Sequence, residues 1–260
     1  MNIRSFWHRG VNRIYTTAMQ KLREKEFVSS EGQSLRYLFF PCRSSDMLVV
    51  GFQACNDAGP QYNYVRTLQQ CHVNRLLIKD DFGPGKLGVY YLGTQGSYAV
   101  ERAVVELIDH YAAALGGQKR LVFIGSSKGG YAALDFGLQY PGSVMILAAP
   151  QYHLAQYLDT PKFRPTLEEI LGGPAAPQAK QALDERLHGR ILADRFAASQ
   201  RVYLHYSDCE HTYPEHVRDL LAHLTAAGIA LQTDVQHYTA HSDLRYFFPD
   251  YLRKVLHTLA

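Results

Sequence analysis

LVFIGSSKGGYAALDFGLQY, from Leu121 to Tyr140, reads as three pieces in immediate succession: an apolar strand, a sharp turn flanked by glycine, and a helix. The turn is Gly125-Ser126-Ser127-Lys128-Gly129, a G-x-S-x-G pattern. A chain that reverses so sharply between strand and helix forces its central residue into a strained backbone conformation and leaves that side chain standing above the sheet. Ser127 occupies that place. Gly125 and Gly129 lie two residues to either side, where a Cβ would collide with the neighbouring strand or helix, and Gly130 adds room for close packing. The pattern alone is common by chance; the strand before it and the helix after it supply the context it requires.

The surrounding chain alternates strands and helices. Upstream, Tyr98 to Leu115 places Val100, Val104, Leu107, Ile108, Tyr111 and Leu115 on one apolar stripe and leads through Gly116-Gly117 into the Leu121 strand. Before it, Leu35 to Pro41, Met47 to Ala54 and Asn74 to Asp80 read as strands, with a helix over Gln61 to Gln70. Downstream, Ser143 to Pro150 is a buried strand, and the β-α-β rhythm implies a parallel sheet. Arg201 to Ser207 and Ala230 to Tyr238 continue it. Between these two a helix begins near Tyr213, with Thr212 and Glu215 as a capping box, and Ser242 to Leu259 forms a closing helix. Residues 1 to about 25 are expected to form an amphipathic helix, including Phe6, Trp7 and Val11, docked on the body. Gln151 to about Gln200 departs from the rhythm, with helical pieces broken by prolines and a capping box at Thr166 and Glu169. It is expected to be a helical cap over the site, or else an ordinary excursion on one sheet face.

These features together predict an α/β-hydrolase fold: one domain over residues 1–260, a mostly parallel central sheet with helices on both faces, and residues 151–200 as a helical cap. In that fold the elbow serine is the nucleophile, and an acid and then a histidine follow it along the chain. His241, three residues beyond Tyr238 in the loop before the closing helix, is the expected base. The acid is Glu210 or Asp208, both in YSDCEHTY. Counting three residues past Ser207, the small residue ending the strand, favours Glu210, whereas Asp208 is placed to bond the turn backbone. The oxyanion donors are expected to be the Lys128 backbone N–H and that of Phe52 or Gln53.

Several other classes fall away. Gly83, Gly85 and Gly88 spell G-x-G-x-x-G, but Pro84 intrudes and no helix opens directly from the loop, so no dinucleotide site is expected. His205, His211 and His216 beside the carboxylates match no usual zinc spacing. The four cysteines, Cys42, Cys55, Cys71 and Cys209, lack C-x-x-C spacing and read as reduced thiols. With 47% hydrophobic and 20% charged residues, no apolar run long enough to span a bilayer and a charge-interrupted start, a cytoplasmic protein is expected. A net charge of +3 without a basic stripe leans weakly toward anionic ligands and away from nucleic acid.

GSSKGGYAAL, APQYHLAQYL, HYSDCEHTY and YTAHSDLRYFF together resemble bacterial α/β-hydrolase-like proteins of surface-polysaccharide biosynthesis. These include capsular-polysaccharide O-acetyltransferases and the related hydrolase-like component of the accessory Sec export system. The resemblance runs from about Leu35 to the C-terminus and departs in residues 151–200 and the first 30 residues. It implies a nucleophile at Ser127, a base at His241 and an acid at Glu210 or Asp208. It also implies transfer of acetyl from acetyl-CoA to a carbohydrate hydroxyl with no permanently bound cofactor. An esterase or deacetylase using the same residues, and an inactive hydrolase-like scaffold, are the alternatives.

Overall fold

The computed structural model describes residues 14–56, 58–117 and 119–260. Its frame is an eight-stranded sheet: β1 (Lys25–Val28), β2 (Ser34–Phe40), β3 (Met47–Phe52), β4 (Asn74–Ile78), β5 (Arg120–Ser126), β6 (Val144–Ala148), β7 (Arg201–Ser207) and β8 (Ala230–Gln236). The spatial order is β1-β2-β4-β3-β5-β6-β7-β8. β2 pairs antiparallel with both β1 and β4, and every other pairing is parallel. Strands buried on both faces must be apolar throughout, and β3 and β6 are buried at every position. At the far edge β8 is half solvated, and its sequence ALQTDVQ is correspondingly polar.

Alternation along the strands sorts side chains onto two faces. Leu48, Val50, Phe52, Phe123, Met145 and Leu147 enter one core with α1 (Ala99–Ala114), the elbow helix α2 (Lys128–Gly137) and α7 (Arg218–Ala226). Met47, Val49, Val122, Ile124, Val144 and Ile146 enter the other, covered by α8 (Leu244–Leu259) and residues 62–73. The second core also takes Tyr15 and Met19 from the helical stretch 14–23. Phe6, Trp7 and Val11 of the expected N-terminal helix lie outside the described residues.

Several boundaries differ from the sequence expectations. β1 claims Lys25 to Val28 as an edge strand, which four residues of weak alternation do not announce. Only Thr67–Gln70 of the expected Gln61 to Gln70 helix is helical, as a single 3₁₀ turn; Tyr64 stands at φ +63°, which an α-helix cannot contain. Neither expected capping box forms by side-chain bonds. The helix containing Thr166 begins earlier, at Arg164, and the Thr212 hydroxyl bonds Glu210 instead.

The 151–200 segment folds as α3 (Leu154–Leu158), α4 (Arg164–Leu171), α5 (Pro177–Asp184) and α6 (Arg186–Ala193). Leu154, Leu158, Leu167, Ile170, Leu183, Leu187 and Ile191 are buried in the first core. Arg186 and Arg190 ion-pair with Glu101 of α1 and with Asp135 of α2, whose side chain is almost fully buried. These helices are therefore bolted to the face that carries the elbow helix. Among the described residues, no helix is long and apolar enough to cross a membrane.

Candidate active site

Ser127 sits between β5 and α2 at φ +55°, ψ −120°, a conformation that L-residues rarely hold. The surroundings enforce it: Ser127 N–H donates to the Ala148 carbonyl at 2.8 Å, while its own carbonyl accepts from Gly130 and Tyr131 N–H. The flanking glycines are required sterically. A Cβ on Gly125 would lie 1.9 Å from the Gly129 carbonyl oxygen, and one on Gly129 would lie 2.5 Å from the Phe52 carbonyl oxygen.

Three loops at the carboxyl ends of the strands bring a hydrogen-bonded chain together. Ser127 Oγ lies 3.1 Å from His241 Nε2, and His241 Nδ1 lies 2.8 Å from Glu210 Oε2. The Glu210 carboxylate is fully buried and accepts a second bond, 2.5 Å, from Thr212 Oγ1. Burial pushes the Glu210 carboxyl up, but the bonds from His241 and Thr212 outweigh it and hold the group below its ordinary range. His211 comes close enough that Glu210, His211 and His241 each offer a ligand atom within 4.8 Å of the others. Both His241 nitrogens are already engaged by Glu210 and Ser127.

Asp208 goes elsewhere. It is exposed and pairs with His237 Nδ1 at 2.7 Å, and His237 lies just past β8 rather than inside it. A two-residue step turns the Asp208 side chain outward and the Glu210 side chain inward.

On the oxyanion side, Lys128 N–H heads α2 and has no acceptor among the described residues. The partner donor is expected from Phe52 or Gln53, at the end of β3. Phe52 belongs to the β3 ladder, with its ring stacked on Phe136 at 5.2 Å, and Gln53 N–H donates to Tyr91 Oη at 2.7 Å. The residues of this loop that line the serine's pocket are Ala54 and Cys55. Ala54 N–H is held by Asn63 Oδ1 at 3.0 Å.

The Lys128 side chain is not available to anions either. It is fully buried, 2.9 Å from the equally buried Asp80 and 3.1 Å from the Leu87 carbonyl oxygen. Asp80 also accepts from Val89 and Tyr91 N–H. Gly88, at φ +91°, packs against this pair so closely that a Cβ would meet Lys128 Nζ at 2.1 Å. The G-x-G-x-x-G stretch thus supplies the backbone that wraps a buried ion pair beneath the elbow.

No protein-family model matches the chain, and no curated protein matches it in sequence. Its shape is similar to the capsule O-acetyltransferase of Neisseria meningitidis serogroup A, with TM-score 0.70 and 19% identity over 89% of this chain and 93% of that one. A histidine-to-alanine variant of that enzyme, similar at TM-score 0.70 and 18% identity over 90% and 94% of the two chains, was solved with CoA. The S-formylglutathione hydrolase of Agrobacterium tumefaciens aligns at TM-score 0.64 and 15% identity over 91% and 95%. The chain has an α/β-hydrolase fold.

In this fold the pocket at Ser127 is a cavity of about 500 Å³. Its lining is rich in hydroxyls and amides, including Gln61, Tyr62, Asn63 and Ser242, with Arg66 and Arg245 as cations. No residue from 152 to 200 lines it. Its walls are instead the 61–67 stretch, the start of α8 and Thr16. Sequence reasoning missed Asp80, Thr212 and Gln151, whose amide Nε2 lies 2.5 Å from Ser127 Oγ. One signal was available: a lysine directly after the elbow serine, opening the otherwise uncharged run Gly129 to Leu134, needs a buried counter-ion.

Proposed function

We propose that the protein is a serine acyltransferase that moves acetyl from acetyl-CoA to a carbohydrate hydroxyl through an acyl-Ser127 intermediate. The observation that carries this reading is the Glu210–His241–Ser127 hydrogen-bond chain at a strained elbow opening on a pocket that carries several hydroxyl and amide side chains. Glu210 holds the imidazole with its Nδ1 proton facing the carboxylate, so Nε2 is free to accept the serine proton. Ser127 Oγ attacks the thioester carbonyl as that proton passes to His241. The tetrahedral oxyanion falls to Lys128 N–H and to the Cys55 amide, which follows the Ala54 N–H already bonded to Asn63. Collapse breaks the carbon–sulfur bond, and the thiolate leaves with the proton from His241. An acceptor hydroxyl then gives His241 its proton and attacks the acyl carbon, and Oγ departs and is reprotonated.

The hydroxyl- and amide-rich lining suits a sugar acceptor, and Arg66 and Arg245 are the charges that the phosphates of the donor would meet. Likeness to a capsule O-acetyltransferase, and to a variant of it with CoA, supports the choice of donor and acceptor class. A second reading, an esterase with water as acceptor, is favoured by the lack of any 152–200 residue around the pocket, because transfer requires water to be held off the acyl-enzyme.

Incubation with acetyl-CoA followed by peptide mass spectrometry decides between them. Acetyl should appear on Ser127, acceptor-free CoA release should be slow, and the correct surface glycan should accelerate it. Ser127→Ala should abolish both labelling and turnover while remaining folded. Fast hydrolysis without acceptor, or deacetylation of a pre-acetylated glycan, would establish the esterase instead.

A further inference from the structure

Gln151 has no role in the chemistry above, yet its side chain is fully buried and its Nε2 lies 2.5 Å from Ser127 Oγ. The backbone that delivers it is held under strain. Ala149, two residues before it, stands at φ +37° with its N–H on the His205 carbonyl, and Pro150 packs within 3.1 Å of where a Cβ on Gly130 would lie. A non-glycine residue in that backbone region costs on the order of 1 to 3 kcal/mol and persists where the surroundings over-determine it.

The hydrogen-bond inventory at Oγ fixes what Gln151 must supply. A serine hydroxyl has one proton to donate and can accept at its lone pairs. With Nδ1–H of His241 facing Glu210, Nε2 is an acceptor, so the serine proton belongs to it. Any further partner of Oγ must therefore donate. The amide does so through Nε2, leaving Oε1 buried without a partner among the described residues. The flipped amide would be worse: Oε1 would draw the serine proton off His241, and two N–H donors would be buried unpaired.

We infer that Gln151 is a catalytic residue that donates to Ser127 Oγ, aiming the serine proton at His241 and stabilising the charge on Oγ as it attacks and as it leaves. This rests on the acyl-Ser127 reading. The same donor acts whether the acyl acceptor is water or a sugar.

The test uses an alkyl fluorophosphonate and nitrophenyl acetate with two near-isosteric variants of the full chain. In fluorophosphonate labelling, Oγ bonds phosphorus, fluoride leaves and the proton passes to His241. Gln151→Met removes the donor and should slow both labelling and turnover by about tenfold or more, with an unchanged pH profile. Gln151→Glu donates while its buried carboxyl is protonated and accepts once ionised, so its activity should fall with rising pH where the native enzyme is flat. A merely structural glutamine would not produce that limb. Both variants within about twofold of native rates, with parallel pH profiles, would overturn the inference. Should Gln151→Met fail to fold by circular dichroism, the Gln151→Glu profile decides alone. Failure of the native protein to label at Ser127 would overturn the underlying acyl-enzyme reading with it.

Discussion

Glu210 and Asp208 are two residues apart and chemically near-equivalent, and their surroundings separate them. Glu210 is buried against His241 and Thr212, so replacing its carboxylate leaves the imidazole without the partner that sets its tautomer. Glu210→Gln should lower turnover of nitrophenyl acetate by roughly 1,000- to 10,000-fold. Asp208 forms an exposed pair with His237 that solvent screens, so Asp208→Asn should leave turnover within about fivefold. The reverse ranking would reassign the acid. Thr212→Val removes one of the two bonds that keep Glu210 ionised and should reduce turnover by about tenfold with the fold intact. Counting from Ser207 points to Glu210 in the sequence; the Thr212 contact is invisible there, because a threonine three residues before Glu215 reads as a helix cap.

At the scale of elements, the elbow is anchored from below. Lys128 runs from the start of α2 to Asp80, just past β4, and the 83–91 loop closes over both through Leu87 O and the Val89 and Tyr91 amides. Removing one partner of a buried pair leaves the other charge without water or counter-ion. Lys128→Met should therefore cost about 3 to 5 kcal/mol in denaturant unfolding, and adding Asp80→Asn should restore part of the loss. Gly88→Ala forces a Cβ into the pair at a positive φ and should destabilise the fold by well over about 1 kcal/mol. A Gly88→Ala protein of native stability would show that the loop is not clamped on the pair.

For the whole molecule, an acid-side liability is His216, which is buried beside His153 and Tyr157. Burial drives its pKa from an ordinary 6.5 down to about 4, with nearby His153, His211 and His241 pushing the same way and Glu215 opposing. The unfolded chain takes up this proton near 6.5 and the folded one only near 4, so the contribution is whole above 6.5 and is lost as pH falls between the two values. That gap corresponds to about 3 kcal/mol. Glu210, held below its ordinary range, adds a further loss at lower pH as its carboxylate is protonated. Denaturant midpoints measured from pH 7 to pH 4 should fall for the native protein and much less for His216→Phe; equal slopes would remove His216 as the cause.

The sequence by itself determined the parallel sheet, the elbow with Ser127 and the loop carrying His241. Those features rest on local physics: apolar period, glycine where a Cβ would clash, and histidine placed just after a strand. Only the tertiary structure decided that Gln151 meets Oγ, that Lys128 faces Asp80 rather than an anion, and that helices 154–193 flank the fold without lining the pocket. Each depends on which remote backbone lies opposite a given side chain. The pairs 127/151 and 80/128 are brought together by sheet order and loop closure, neither of which leaves a local pattern in the chain.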